Sequence, residues 1–349
     1  MEVLFKAFMP ELPELDELLH SGALAAGTYT KEFEDMLKEF FNVSYLLTTN
    51  SYESAVNVVT ETLGLRHNDI VVASPMACLV STQPYQARGY KLKWADIDPK
   101  LGTLSPDSVK SRIDNKVKLI VHNHFCGYPG YIDEINEIGK RYGIPVIDDG
   151  IECFGSEYKG NKIGLCGTDI TIFSLSAVRL PNCIDGGVII FQDESLYNRA
   201  ILVRDCGIER SRFRDESGEI DPSCDIVYTG FSAKMSNVNA YIGTQQMKNI
   251  QKLLNTQRLN AKNWDQKLEN SSYQSLNTKD SNPNYWVYGL LAEDKKDAIH
   301  QFRREGFYAS GVHLRNDNYS VFGKADIELH GVDEFSRRFF AIPCGWWIK

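Results

Sequence analysis

The sequence predicts an α/β protein. A large domain with a mostly parallel central sheet spans residues 1–250, and a small C-terminal α+β domain spans 251–349. Three observations carry this expectation. Short runs rich in Val, Ile and Leu alternate with segments of helical spacing, the pattern of βαβ units. The 349 residues exceed what one small core organises. A polar segment, SSYQSLNTKDSNPN, then separates this pattern from a last group of strand-like and helix-like runs.

Taken in order, residues 1–20 carry Leu12, Leu15, Leu18 and Leu19 among acidic residues and predict a short helix. Thr30 can cap the next helix, which places Phe33, Met36, Leu37 and Phe40 on one face. Ser44–Thr49 reads as a strand running into the polar turn Asn50–Ser54 and a helix with Val56, Val59 and Leu63. A strand, a turn and a helix N-terminus make a ready anion cradle, because unpaired N–H groups point outward there. Strands follow at Ile70–Ala73, Lys91–Asp96, Val117–His122 and Pro145–Asp149, with helices after Ser74 and over Ile132–Tyr142. In such sheets ligands sit beyond the carboxyl ends of strands, where Ser51, His124, Asp149 and Ser174 fall. Residues 205–229 read as a long loop, and a long helix begins near Met235. The small domain is expected to hold strands at Tyr285–Leu291, Ser310–Leu314 and Ala341–Pro343 and a helix at Asp297–Glu305.

The stretch from Ile170 to Phe191 organises the large domain. Two apolar runs, Ile170–Phe173 and Val188–Phe191, read as buried strands flanking Ser174, Ser176, Arg179 and Asp185-Gly186-Gly187. Paired glycines allow close backbone approach. A cation there, with a hydroxyl five residues before it, fits the floor of an anion or cofactor site. It equally fits an arginine paired with a carboxylate at a strand end.

Composition narrows the function classes. The net charge of −8 argues against nucleic acid as a partner. No apolar run approaches the roughly 20 residues that span a bilayer, so no membrane partner is expected. The N-terminus lacks a basic start followed by an uninterrupted apolar run, and a cytoplasmic protein is expected. Eight cysteines without C-x-x-C spacing read as reduced core thiols, and no metal site is expected.

Six segments, in order, resemble the DegT/DnrJ/StrS sugar aminotransferase family. They are GTYTKEFEDMLKEFFNV, DIVVASPMACLVST, VHNHFCGYPGYIDEI, VIDDGIECFGS, IFSLSAVRLPNCIDGG and TGFSAKMSNVNAYIGTQQM. The resemblance covers nearly the whole chain and implies the fold of aspartate aminotransferase-like, pyridoxal-phosphate (PLP) transferases, a homodimer, and a nucleotide-sugar-like substrate. Residue by residue, it implies that Asp149 pairs with the pyridine nitrogen, which keeps the ring an electron sink. It implies that Ser174 bonds the cofactor phosphate, and it sets Glu152 where the family usually has glutamine.

Arg179 stands where the resemblance expects the Schiff-base lysine, in a register fixed by Phe173-Ser174 before it and Asp185-Gly186-Gly187 after it. A guanidinium stays protonated, with a pKa above ~12, so it neither attacks an aldehyde nor acts as a base. Tyr52 and Glu53, following Ser51, replace a small Gly-Thr in the phosphate turn. A glutamate there opposes a phosphate carrying about −1.5 to −2 charges. Leu79 takes the place of the aromatic that stacks on the ring, and Ser232 that of an asparagine reaching the neighbouring subunit's phosphate.

These departures favour a non-transaminating member of the fold, with no covalently held cofactor, that binds an anionic or nucleotide-sugar ligand. Arg179 and Arg315 are its candidate anion contacts, and His313 lies with Arg315 in the donor-rich stretch GVHLRNDNYSVF. One alternative is amino transfer or dehydration of a keto sugar nucleotide, with PLP or pyridoxamine phosphate (PMP) held without a covalent link. Another is a non-catalytic partner in a heterodimer with an active paralogue.

Overall fold

The structure is a computed structural model that describes residues 1–348. Its strands are β1 (Leu46–Thr49), β2 (Ile70–Ala73), β3 (Lys91–Trp94), β4 (Val117–Asn123), β5 (Val146–Asp149), β6 (Glu157–Tyr158), β7 (Asn161–Lys162), β8 (Ile170–Ser174), β9 (Gly187–Phe191), β10 (Gln274–Ser275), β11 (Ser281–Asn282), β12 (Tyr288–Leu291) and β13 (Phe339–Ile342). Seven of them form the central sheet in the order β1-β9-β8-β5-β4-β2-β3. Every pairing from β8 to β3 is parallel, whereas β9 runs antiparallel to both of its neighbours. All residues of β1, β5, β8 and β9 are buried, as expected of strands covered on both faces.

The sheet register brings the predicted site residues to one edge. Asn123 pairs with Asp149, and Asp149 with Ile172. Gly187 pairs with Ser174 on one side and Thr49 on the other. A Cβ on Gly187 would lie 2.6 Å from Thr49 Oγ1 and 2.8 Å from the Ser51 carbonyl oxygen, so this crossing requires glycine.

Most predicted strands are present within a few residues of their expected ends, and Ile132–Tyr142 is the helix expected there. Three expectations change. The long helix after Met235 is two helices, Asn237–Met247 and Ile250–Leu268. Ser310–Leu314 is not a strand. Ser310 makes a single bridge to Ala341, and Val312 takes φ +60°, which breaks an extended run and is uncommon for a β-branched residue. Glu194–Arg204, not anticipated, is a helix capped by the Asp193 carboxylate, which accepts from the Leu196 N–H.

The C-terminal part builds a three-stranded sheet, β10-β12-β13. It does not form a separate core. One apolar cluster runs from Val56, Leu119 and Ile172 through Trp286 and Leu290 to Phe339 and Ile342. In addition, β11 pairs with β6, tying residues 281–282 to the large part. This continuity brings Trp286 and His313 over the ends of β5 and β8.

Candidate functional site

Asp149 ends β5 and is fully buried. Its carboxylate accepts three hydrogen bonds within the chain. Oδ1 accepts from the Tyr52 phenol at 2.6 Å and from the Ile151 N–H at 3.1 Å, and Oδ2 accepts from Asn123 Nδ2 at 3.1 Å. Tyr52 is the first residue of the helix Tyr52–Thr62, which Ser51 caps by accepting from the Ser54 N–H. Burial first, then the Asp149 charge, push the Tyr52 phenol well above its ordinary pKa, so it remains a donor. Glu53 lies exposed in the same first turn, where a carboxylate favours the positive end of the helix.

Arg179 lies in the loop between β8 and β9 and is buried. Its Cζ sits 4.2 Å from the centre of the Trp286 ring, which donates its own N–H to the Val178 carbonyl at 2.9 Å. Nη1 is 3.4 Å from Glu152 Oε1, and Nη2 is 4.0 Å from Cys78 Sγ. Nε and Nη1 are enclosed yet have no aligned hydrogen-bond acceptor. The arginine therefore does pair with a carboxylate, but that pairing leaves part of its donor set unused.

Glu152 is the hub of this half of the site. Oε1 takes His313 Nε2 at 2.6 Å, and Oε2 accepts from the Cys126 N–H at 2.7 Å. Burial alone would raise the Glu152 carboxyl, but His313, Arg179 and the Cys126 N–H outweigh it and hold it below the usual range. Cys78 behaves differently. Burial and the Glu152 charge push its thiol up to about 11, so it is protonated at neutral pH.

The remaining predicted residues fall into two groups. Ser174 lies at the end of β8, buried, and its hydroxyl accepts from the Ser176 N–H at 3.3 Å. Leu79 begins the helix Leu79–Ala87 and is exposed. Ser232 is exposed, and its carbonyl accepts from Asn50 Nδ2 at 3.2 Å. Arg315 does not share the Arg179 cluster. Its guanidinium is held by Asp317 at 2.6 Å and by Asp333, which corrects its reading as an available anion contact. His124, placed by sequence at a strand end, turns away from Asp149 and lies 3.2 Å from the carboxylate of Asp148.

Sequence reasoning missed Asn123, Cys78, Trp286 and Phe5, which stacks on Trp286 with ring centres 4.3 Å apart. Asn123 could have been found from its place at the end of a parallel strand beside Asp149. Trp286 and Phe5 carry no local signal, since only the tertiary fold brings them to Arg179.

Pyridoxal phosphate fits these residues poorly. An aspartate that serves a pyridinium nitrogen must offer it an oxygen. Oδ1 of Asp149 already accepts from the Tyr52 phenol, and a ring set against that oxygen would have to displace the side chain. A separate cavity of about 10 Å³, bordered by Arg179, Trp286, Phe5, Phe8 and Trp346, does not reach Asp149.

With this geometry in hand, the chain can be set beside known proteins. Residues 9–345 match the DegT/DnrJ/EryC1/StrS aminotransferase family, and the chain belongs to that family. Its fold is that of the type I PLP-dependent sugar aminotransferases. A sugar aminotransferase of Micromonospora echinospora, CalS13, superposes with a TM-score of 0.93 at 24% identity, covering 100% of this chain and 96% of that one. AtS13 of Actinomadura melliaura gives 0.90 at 25% identity, covering 99% and 94%. A Streptococcus pneumoniae protein described as a sugar aminotransferase, in its PLP form, gives 0.86 at 18% identity, covering 99% and 94%. Among the described residues no helix is long and apolar enough to cross a membrane.

Proposed function

We propose that this chain is a non-transaminating member of its family, using the aminotransferase fold to hold an anionic, nucleotide-sugar-like ligand rather than to run lysine-dependent PLP chemistry. The carrying observation is Arg179. In the register of the resemblance it takes the lysine's place, and it is buried, stacked on Trp286 and ion-paired with Glu152, with no aligned hydrogen-bond acceptor at Nε or Nη1. Such a group forms no imine and transfers no proton, but it binds phosphate and carboxylate by paired N–H bonds. Glu152 and His313 orient it from below, and Cys78, as a neutral thiol, adds no competing charge.

The N-terminal arm carrying Phe5 and Phe8 packs beside Arg179, held by Asn182 and Gln246 on the Phe8 carbonyl, by the Trp346 and Trp347 indoles on the Lys6 and Val3 carbonyls, and by main-chain bonds of Glu2 to Gly306 and Tyr308. Exposed Ser232 is available to a second copy of the chain, and a homodimer is part of this reading.

The competing reading, amino transfer or dehydration with a non-covalently held PLP or PMP, draws support from Asp149 and Ser174 at their expected strand ends. Tyr52 opposes it. Calorimetric titration of the native protein with uridine and thymidine diphosphate sugars tests the first reading. The expected result is a binding heat that Arg179→Met removes. An absorbance band near 420 nm after incubation with PLP, reducible by borohydride, would overturn it.

A further inference from the structure

We propose that Tyr52 is a resident occupant of the ring slot above Asp149: its phenol takes the hydrogen bond that a pyridinium nitrogen would take, and this side chain decides that the native site admits no aromatic cofactor. The inference rests on the reading of the site as non-transaminating and deepens it, because it names the residue that closes the slot.

Three observations support it. The first is chemical equivalence. A phenol is a flat six-membered ring carrying one donor, and its oxygen lies 2.6 Å from Asp149 Oδ1. A protonated pyridine is likewise a flat ring with one N–H donor. Oδ1 already accepts from the phenol and from the Ile151 N–H, and Oδ2 from Asn123, so an aromatic N–H reaches Oδ1 only by displacing Tyr52.

The second is permanence. Tyr52 is 3% exposed, and burial together with the Asp149 charge pushes its phenol well above its ordinary pKa, which favours the protonated donor. The third is anchoring. Tyr52 is not on a mobile loop. It is the first residue of an eleven-residue helix capped by Ser51, and the next helical turn, Ala55 and Val56, packs into the core. Withdrawing the ring requires disturbing that helix end.

The arrangement predicts a latent cavity. Replacing Tyr52 with alanine keeps a good helix-forming residue and removes one aromatic ring from an enclosed, partly apolar slot. Such cavities take small aromatic molecules that match the lost side chain. The probe is p-cresol, which is the tyrosine side chain as a free molecule.

The experiment compares thermal midpoints of the native protein, Tyr52→Ala and Tyr52→Phe with and without millimolar p-cresol. Tyr52→Ala is expected to melt several degrees lower than native and to recover much of that loss with p-cresol. Native protein and Tyr52→Phe, whose rings fill the slot, are expected not to respond. A Tyr52→Ala chain that p-cresol neither stabilises nor rescues overturns the proposal, as does an equal response in Tyr52→Phe. A failure here leaves the borohydride test of the native protein untouched. A reducible band in the native protein would sink the functional reading, whatever p-cresol does to the alanine variant.

Discussion

Asp148 and Asp149 are consecutive residues of β5, and both are fully buried. They point to opposite faces of the sheet, as successive strand residues must. Asp149 faces the site and accepts three hydrogen bonds, one of them from a phenol. Asp148 faces the other layer, between His122 Nδ1 at 3.5 Å and His124 Nε2 at 3.2 Å. Neither contact is aligned as a hydrogen bond, and both Asp148 oxygens lack a partner by that criterion. Burial would raise the Asp148 carboxyl, but the two histidines outweigh it and hold it far below the carboxylate range. Burial also lowers the His122 imidazole against the pull of Asp148. One carboxylate is thus held by directed bonds at a ligand-facing position, and the other lies against two imidazoles in the core.

This difference orders the expected effects. Asp148→Ala removes the only carboxylate facing two buried imidazoles and is expected to cost about 3–5 kcal/mol in urea unfolding. Tyr52→Phe removes one bond to a charged acceptor on the other face and is expected to cost about 1.5–3 kcal/mol. If the two losses came out reversed, the contrast between charge pairing and directed bonding would fail.

Acid sharpens the same contrast. Asp148 and Glu152 have folded pKa values below their unfolded ones, so their stabilisation is present above the ordinary carboxylate values of 3.8 and 4.5 and is lost as pH falls through the folded values. Stability is therefore expected to drop below about pH 4.5, and Glu152→Gln to flatten part of that acid limb in a pH series of melts. Ser232→Ala, exposed and bonded only through its main chain, is expected to stay within about 0.5 kcal/mol of native in the same assay.

The central sheet was legible because its strands are short apolar runs bounded by turn residues, as at Pro145–Asp149 and Ile170–Phe173, which are strands at Val146–Asp149 and Ile170–Ser174. Asp149 was legible as a candidate site residue from its place at a strand end, whereas Glu152 was singled out only by the family resemblance. The fate of Arg315 was not. Asp317 is two residues away and its pairing is local, but Asp333 arrives from the helix His330–Arg338, and nothing in the sequence ties the two. Ser310–Leu314 failed as a strand because β propensity yields to the backbone turn at Val312. The engagement of Asp149 by Tyr52 joins residues 97 positions apart. Sequence alone marked Tyr52 as out of place in a phosphate turn but not as the partner of that carboxylate.

The central claim is that guanidinium and phenol together close this site to pyridoxal chemistry. The most direct measurement restores the amine alone. Arg179→Lys is incubated with PLP, reduced with borohydride and weighed by mass spectrometry. The account predicts no pyridoxyl adduct at position 179 by peptide mapping, because Tyr52 still holds Asp149 and the ring has nowhere to sit. A pyridoxyl adduct on the new lysine would contradict it and show a site that lacks only its amine.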